Sequence, residues 1–328
     1  MARKAIMPER LSSWFARPTT TMLLVLVAIV VTFSVLSPTT FFTLGNAQGV
    51  LSDAAILLVL SVGATFIIIT AGIDLSVGSV LVFSAVVGAK AMEFVGGESW
   101  SAIAAGFAAS VLSGAVWGLV NGVLVAQAKV PAFVVTLGTL GAAYGLALVI
   151  SDGIDVRSVP SPLVELGNGR LLGIPIIALV ALAVTLIAGI VLAFTVFGRR
   201  TYAIGSNPES ARRAGVQVER TLLQVYVMAG VLAGFGAFLS LARFGTTTIA
   251  GNTTTNLQVI TAVVIGGTSL FGGVGWMVGT TIGVFIPIVL ANGFIIRGVV
   301  PYWQYVAVGA VLIVAVLIDQ RRRLRQMS

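Results

Sequence analysis

Residues 54–89 read AAILLVLSVGATFIIITAGIDLSVGSVLVFSAVVGA, an apolar run of 36 residues interrupted only at Gly72-Ile73-Asp74. About 20 apolar residues suffice to cross the hydrocarbon core of a bilayer. Two short crossings that meet at the Gly-Ile-Asp break therefore fit the run better than one long helix.

The rest of the chain has the same character. Hydrophobic residues make up 58% of the 328 positions and charged residues 9%, and mean hydropathy is +1.07. Such a chain is an integral membrane protein and not a soluble domain. Cysteine and histidine are both absent, which removes disulfides, thiol nucleophiles, imidazole bases and the usual zinc or haem ligands. No cofactor or metal is expected in this chain. The formal charge of +8 suggests nucleic acid only if its location is ignored, because basic residues gathered on one side of a membrane give the same sum.

Apolar runs place the crossings. Upstream of the opening stretch, Thr20 to Leu36 closes at Ser37-Pro38 and reads as an uncleaved first span. Downstream, Trp100 to Val125, Ala132 to Ile150 and Ile174 to Phe197 supply three more, with the turn at Lys129-Val130-Pro131 and the polar segment Ser151 to Gly173 between them. Leu222 to Leu241, Leu257 to Leu270, Trp276 to Ile296 and Tyr302 to Ile318 follow, and the total is ten. The expected fold is all-α: a polytopic transmembrane helical bundle of about ten spans, with broken glycine-rich helices and no second soluble domain. Both termini then lie on one side. Placing them in the cytoplasm puts fourteen of the nineteen basic residues inside and leaves Lys90, Arg157, Arg170, Arg243 and Arg297 outside, the orientation that the positive-inside rule selects. The division of 54–89 and 257–296 is open, since either hairpin can instead be re-entrant. These regions resemble each other: a shift of 195 residues aligns Gly72, Leu75 and Gly78 with Gly267, Leu270 and Gly273, as a parallel internal repeat of a broken crossing predicts.

Between the two halves lies a charged island, Gly198 to Arg220 (GRRTYAIGSNPESARRAGVQVER), which holds five of the sixteen arginines. Asn207, Pro208 and Glu209 form a helix start, with a capping amide, a proline in the first turn and a carboxylate at the positive dipole end. Gly215 supplies the stop. The helix predicted over Pro208 to Ala214 is shorter than the roughly 12–15 residues an isolated helix needs in water, so it has to dock. Its small face, Ala211 and Ala214 with Val218 beyond, suits a cleft, and Arg212 and Arg213 can meet acidic groups on the rim.

A carboxylate at the centre of a membrane helix costs about 2.5–3.5 kcal/mol, so Asp74 needs a reason. It either sits at a helix break on a conduction path or lies in a turn near the cytoplasmic surface and caps the following helix through the free N–H groups near Ser76 and Val77, the latter being favoured. It stands alone, which argues against a proton relay. Asn121, Gln127, Thr136, Thr139, Asn256, Gln258, Thr261, Thr268 and Asn292 are uncharged polar residues in or beside spans. Each can join neighbouring helices; together they lean towards a polar, uncharged cargo. Neither glycine-rich segment ends in Lys-Ser or Lys-Thr, so there is no Walker A motif. The chain cannot hydrolyse ATP alone, and any driving energy has to enter from a partner.

Four segments, TAGIDLSVGS (70–79), GLVNGVLVAQAKVPAFVVTLGTLGAAYGLA (118–147), TYAIGSNPESARRAG (201–215) and VIGGTSLFGGVG (264–275), occur in this order. They resemble the transmembrane subunit of bacterial ATP-binding-cassette importers of the ribose type, and the resemblance covers nearly the whole chain as one permease domain, 1–328. Gln127-Ala128-Lys129 departs from it, where a bulkier basic turn is common. The resemblance implies a multi-pass protein of the bacterial inner membrane that pairs with a second copy of itself, with a cytoplasmic ATPase that carries the ATP and magnesium, and with an extracytoplasmic solute-binding protein. It implies no nucleic acid partner. It makes Asn207, Pro208, Glu209, Ala211, Arg212, Arg213, Ala214 and Gly215 the coupling helix that docks in the ATPase. Gly72, Asp74, Ser76, Gly78, Asn121, Thr136, Thr139, Gly267, Thr268 and Gly273 are the expected translocation-pathway residues. The expected activity is transport of a small polar solute, a monosaccharide first, by alternating access. Nucleosides, autoinducer-type furanoses and branched-chain amino acids are the alternative cargoes, and a self-sufficient carrier or channel is the alternative class.

Overall fold

The computed structural model describes residues 18–250 and 254–300, with scattered positions between 302 and 320. The basic cluster Arg3, Lys4, Arg10 and Arg17, and the tail arginines, lie outside the described residues, as does much of the expected span Tyr302 to Ile318. Helix α1 is Pro18–Leu36, α2 Leu44–Ile69, α3 Val77–Val95 and α4 Trp100–Gly122, which runs on through a π-helical turn at Val123–Gln127. Then come α5 (Ala132–Ser151), the short α6 (Ser161–Asn168), strands β1 (Arg170–Leu171) and β2 (Ile174–Pro175), and α7 (Ile176–Phe194). After these stand α8 (Val196–Ser206), α9 (Pro208–Arg213), α10 (Val218–Phe244), α11 (Thr255–Ile265) and α12 (Met277–Ile296).

Seven of these are long and apolar enough to cross a membrane: α2, α3, α4 with its π turn, α5, α7, α10 and α12. Residues 22–36 and α11 are shorter apolar helices. The opening stretch divides where its sequence breaks, between Ile69 and Val77, although α2 begins ten residues upstream of the apolar run. Thr43 starts it by accepting a bond from the Asn46 N–H at 3.2 Å. The all-α expectation has one small exception: β1 and β2 pair antiparallel within the segment expected to be merely polar. Gln48 on α2 holds this hairpin through the Gly173 carbonyl at 2.8 Å.

Helix α2 is the axis of the bundle, with 89% of its most apolar window buried against 22% for α7. It contacts α10, α7, α12 and α11. The most extensive helix pair is α4 with α10, and glycine spacing explains it. Gly114, Gly118 and Gly122 recur every four residues on one face of α4, and Gly230 and Gly234 do so on α10. A Cβ at Gly118 would stand 2.5 Å from the Tyr226 carbonyl oxygen, and one at Gly230 2.7 Å from the Gly118 nitrogen. The backbones touch, which is how helices associate where lipid is as apolar as leucine. A Gly118→Leu protein is therefore expected to lose at least the roughly 1–3 kcal/mol typical of overpacking. The check is a lowered unfolding midpoint in detergent, with Gly138→Leu, where nothing lies within 4 Å of the added Cβ, unchanged.

Candidate functional site

The break between α2 and α3 begins at Ala71, whose φ of 61° is left-handed although it is not glycine. Gly72 follows because Tyr226 fills the adjoining space: a Cβ there would lie 2.9 Å from the Tyr226 hydroxyl. Asp74 is 9% exposed. Its Oδ1 accepts the Ser76 N–H at 2.7 Å and the Ser76 hydroxyl at 2.6 Å, so it orders the start of α3 much as the capping role requires. It does so from inside the protein, however, and not from a surface turn. Ser76 Oγ in turn accepts from Asn121 Nδ2 at 2.9 Å, and Thr139 donates to Asn121 Oδ1 at 2.8 Å. Thr136 donates to the Ile73 carbonyl at 3.1 Å, and the Gly78 N–H reaches Asn256 Oδ1 at 2.6 Å. Sequence-predicted residues from four helices and the break are thus hydrogen-bonded around one junction, with Asp74, Ser76, Asn121 and Thr139 in a continuous buried chain.

Asn121, Thr136, Thr139 and Asn256 act here as joints between helices. Asn292 does the same, pairing with Asn46 through two bonds of 3.0 and 2.9 Å. Where polar groups are withdrawn from water, each needs a partner, and removing one leaves another orphaned at a cost of about 1–3 kcal/mol. A Ser76→Ala protein, which deprives Asn121 Nδ2 of its acceptor and Asp74 of one donor, is expected to unfold at a lower temperature by an amount in that range. Ser101→Ala, exposed at the start of α4, serves as the comparison.

The second break, between α11 and α12, uses three left-handed glycines, Gly267, Gly272 and Gly273. It folds back onto the first. The Gly273 N–H bonds to the Ile69 carbonyl at 2.8 Å, and a Cβ at Gly272 would lie 2.8 Å from the Ala71 Cβ. Gly267 packs beside Trp276, and the Thr268 hydroxyl is buried without a hydrogen-bond partner among the described residues. The two regions that resemble each other in sequence are therefore in contact.

A third element completes this junction. The C-terminal end of α8 carries Gly205, whose absent side chain lets it lie against the Ile69 carbonyl and 2.5 Å (from its ideal Cβ) from the Gly273 nitrogen. Ser206 abuts Gly273, and Tyr202 one turn earlier donates to the Gly275 carbonyl at 2.6 Å. Burial pushes the Tyr202 phenol above its ordinary pKa, which keeps it a donor. Helix α9 begins two residues beyond Ser206.

The start and stop signals of that helix act as read, although it ends at Arg213, with Ala214 as its cap, one residue earlier than expected. Asn207 accepts the Ser210 N–H at 2.9 Å, Pro208 and Glu209 occupy its first turn, and Gly215 is left-handed at φ 84°. The small face differs from expectation. Ala211 and Val218 are not available to an external cleft; they are buried with Ile204 in a small cluster of their own chain. A helix of six residues can be held only by tertiary contact, and these are the residues that hold it. Arg212 is also engaged, by Glu209 at 3.0 Å and by Glu219. Pro208, Glu209, Ser210, Arg213 and Ala214 face outward, with the Arg213 side chain 81% exposed.

Gly205, Gly272 and Tyr226 were missed from sequence. Gly205 sits in a quoted motif, but nothing in a single sequence distinguishes it from the other glycines. Tyr226 looks like an ordinary apolar position of α10.

These features define a multi-pass helical membrane protein in which two glycine-rich breaks meet the end of a surface helix through backbone contacts. Residues 46–316 match the family described as branched-chain amino acid transport system / permease component, and the chain belongs to that permease family. It is 38% identical over 305 residues to the ribose import permease protein of Escherichia coli (strain K12), which covers 92% of both chains. It is 37% identical to the ribose import permease protein of Bacillus subtilis (strain 168) over 90% of both. The galactose/methyl galactoside import permease protein of E. coli (strain K12) is 33% identical, with 93% of this chain and 94% of that one covered. No solved structure matches the chain.

Proposed function

We propose that this chain is the transmembrane permease subunit of an ATP-binding-cassette importer of the bacterial inner membrane, carrying a monosaccharide inward. The sugar assignment rests on the relatives, whose names specify ribose and galactose across more than nine-tenths of this chain. Counting α1, α11 and residues 302–318 as crossings gives ten, with both termini cytoplasmic, and the whole chain acts as one domain.

The observation that carries the mechanical part is the contact of the α8–α9 elbow with both breaks, through Gly205 and Ser206 on one side and Ile69, Gly272 and Gly273 on the other. Helix α9 is the surface that a cytoplasmic ATPase pushes. It presents Pro208, Glu209, Ser210, Arg213 and Ala214, while Ala211 and Arg212 keep it attached to its own chain. Two copies work against each other, and a solute-binding protein delivers the sugar outside. ATP binding and hydrolysis occur in the partner, and their differential affinity for the two permease states shifts the equilibrium. The expected pathway residues Gly72, Asp74, Ser76, Gly78, Asn121, Thr136, Thr139, Gly267, Thr268 and Gly273 are read here as the closed gate. The space that Asp74, Ser76 and Asn121 help enclose is about 10 Å³, too small for a sugar until the breaks separate.

The test is uptake of labelled ribose, galactose, allose or fructose into vesicles that hold the permease with the ATPase and binding protein encoded beside it. ATP-dependent uptake of one of these sugars is expected. Equal uptake by vesicles containing the permease alone would make it a self-sufficient carrier and defeat the assignment.

A further inference from the structure

The Tyr226 hydroxyl is the largest loose end in the interior. The residue is 1% exposed, lies on α10 and projects at the α2–α3 break, yet among the described residues its oxygen has no hydrogen-bond partner. Buried phenols rarely forgo one. Asp74 lines the same small space. Both bonds from Ser76 go to Asp74 Oδ1, so among the described residues Asp74 Oδ2 accepts none. The Asn121 and Ser76 side chains, which also line the space, are committed to each other and to Thr139 and Asp74. The remaining walls include Val77, Val80 and Ala229, which offer no polar side chain.

With no direct hydrogen bond between them among the described residues, Tyr226 and Asp74 thus line one small space of about 10 Å³. That is about the least volume that holds a single water, and a buried water needs 2–4 polar partners. We propose that one water molecule occupies this cavity, accepting the Tyr226 hydroxyl proton and donating to Asp74 Oδ2. Its second proton is directed at Ser76 Oγ, which already accepts from Asn121 and has the second of a hydroxyl's two lone pairs free.

This water gives the isolated carboxylate a solvating donor inside a membrane protein, without a cationic partner. It also links α10 to the first break through a bond that can lengthen and re-form. A direct Tyr–Asp bond would fix their separation; a bridging water tolerates sliding. The inference stands on the cavity and the hydrogen-bond inventory, independently of the cargo and of ATP coupling.

The experiment uses the full chain in lipid nanodiscs. Brief X-ray radiolysis generates hydroxyl radicals from ordered water, so Tyr226 is expected to be oxidised at least tenfold faster than Phe66, which is equally buried but lies off this cavity. A structure resolved well enough to show waters is expected to place one peak about 2.5–3.0 Å from both the Tyr226 hydroxyl and Asp74 Oδ2. Tyr226→Phe, which keeps the ring, is expected to fold and to lose the water-dependent oxidation at neighbouring Asp74 and Val77. Three results overturn the proposal. Tyr226 could be as unreactive as Phe66. The space could be empty, with Tyr226 bonded directly to Asp74. Or the unfolding midpoint could rise when sodium replaces choline, with that rise lost in Tyr226→Phe, which would make the occupant a cation.

Discussion

A Gly205→Val permease is expected to insert with a lowered unfolding midpoint, bind its ATPase and transport no sugar. The reason is local and severe. The added Cβ would overlap the Ile69 carbonyl, which is itself the acceptor of the Gly273 N–H bond that joins the two breaks. Neither neighbour is the end of a flexible side chain, so the backbone of α8, of the first break or of the second has to move. The elbow would be pushed off the junction, and a displacement of α9 would no longer reach the gate. Uptake in reconstituted vesicles should fall by at least about 100-fold, which corresponds to roughly 2.7 kcal/mol, while ATP hydrolysis by the assembled complex continues. Ser206→Ala, one residue on, removes an oxygen from the same junction without adding bulk and is expected to retain uptake within about threefold. Uptake by Gly205→Val at the wild-type rate would show that the junction transmits nothing.

The second large effect concerns the helix itself. Replacing Glu209 to Ala214 with a flexible Gly-Ser segment removes the pairing of Arg212 with Glu209 and Glu219 and removes Ala211 from its contact with Ile204 and Val218. The replacement has no anchor and almost no helix propensity, so it cannot bear load. The permease is expected to insert, because its spans are untouched, but sugar uptake should be lost and the ATPase should no longer respond to loaded binding protein. Arg213→Ala separates this from simple unfolding of the elbow. Its side chain is 81% exposed and its one ion pair among the described residues, to Glu209, is long at 3.7 Å, so stability should be unchanged while affinity for the ATPase falls. If the Gly-Ser chain imports sugar normally, the force enters elsewhere.

The two predictions show where sequence reasoning stopped. That α9 would exist, and where it would start and end, followed from Asn207, Pro208 and Gly215, because caps act over three or four residues. Which of its faces would be exposed did not follow. Ala211 and Val218 are small and apolar, which suits either an outside cleft or a neighbouring helix of the same chain, and the position of Ile204 decided between them. Asp74 was similar. Its bond to Ser76 is a two-residue affair and could be anticipated, whereas its burial and its relation to Tyr226, 152 positions away in the sequence, depend on how α10 lies across the break.

The amino-acid order alone determined that this is a membrane protein of many helices, that two of its apolar runs are divided at glycine-rich breaks, and that a short capped helix stands between its halves. These are properties of composition and short-range pattern, fixed by the cost of placing polar groups in hydrocarbon and by the backbone freedom of single residues. Only the tertiary structure brought Ile69, Gly205 and Gly273 to one point, turned Ala211 inward and left Tyr226 facing Asp74. Close approach between backbones distant in sequence depends on the packing of whole helices, and a glycine that permits it looks, in the chain, like any other.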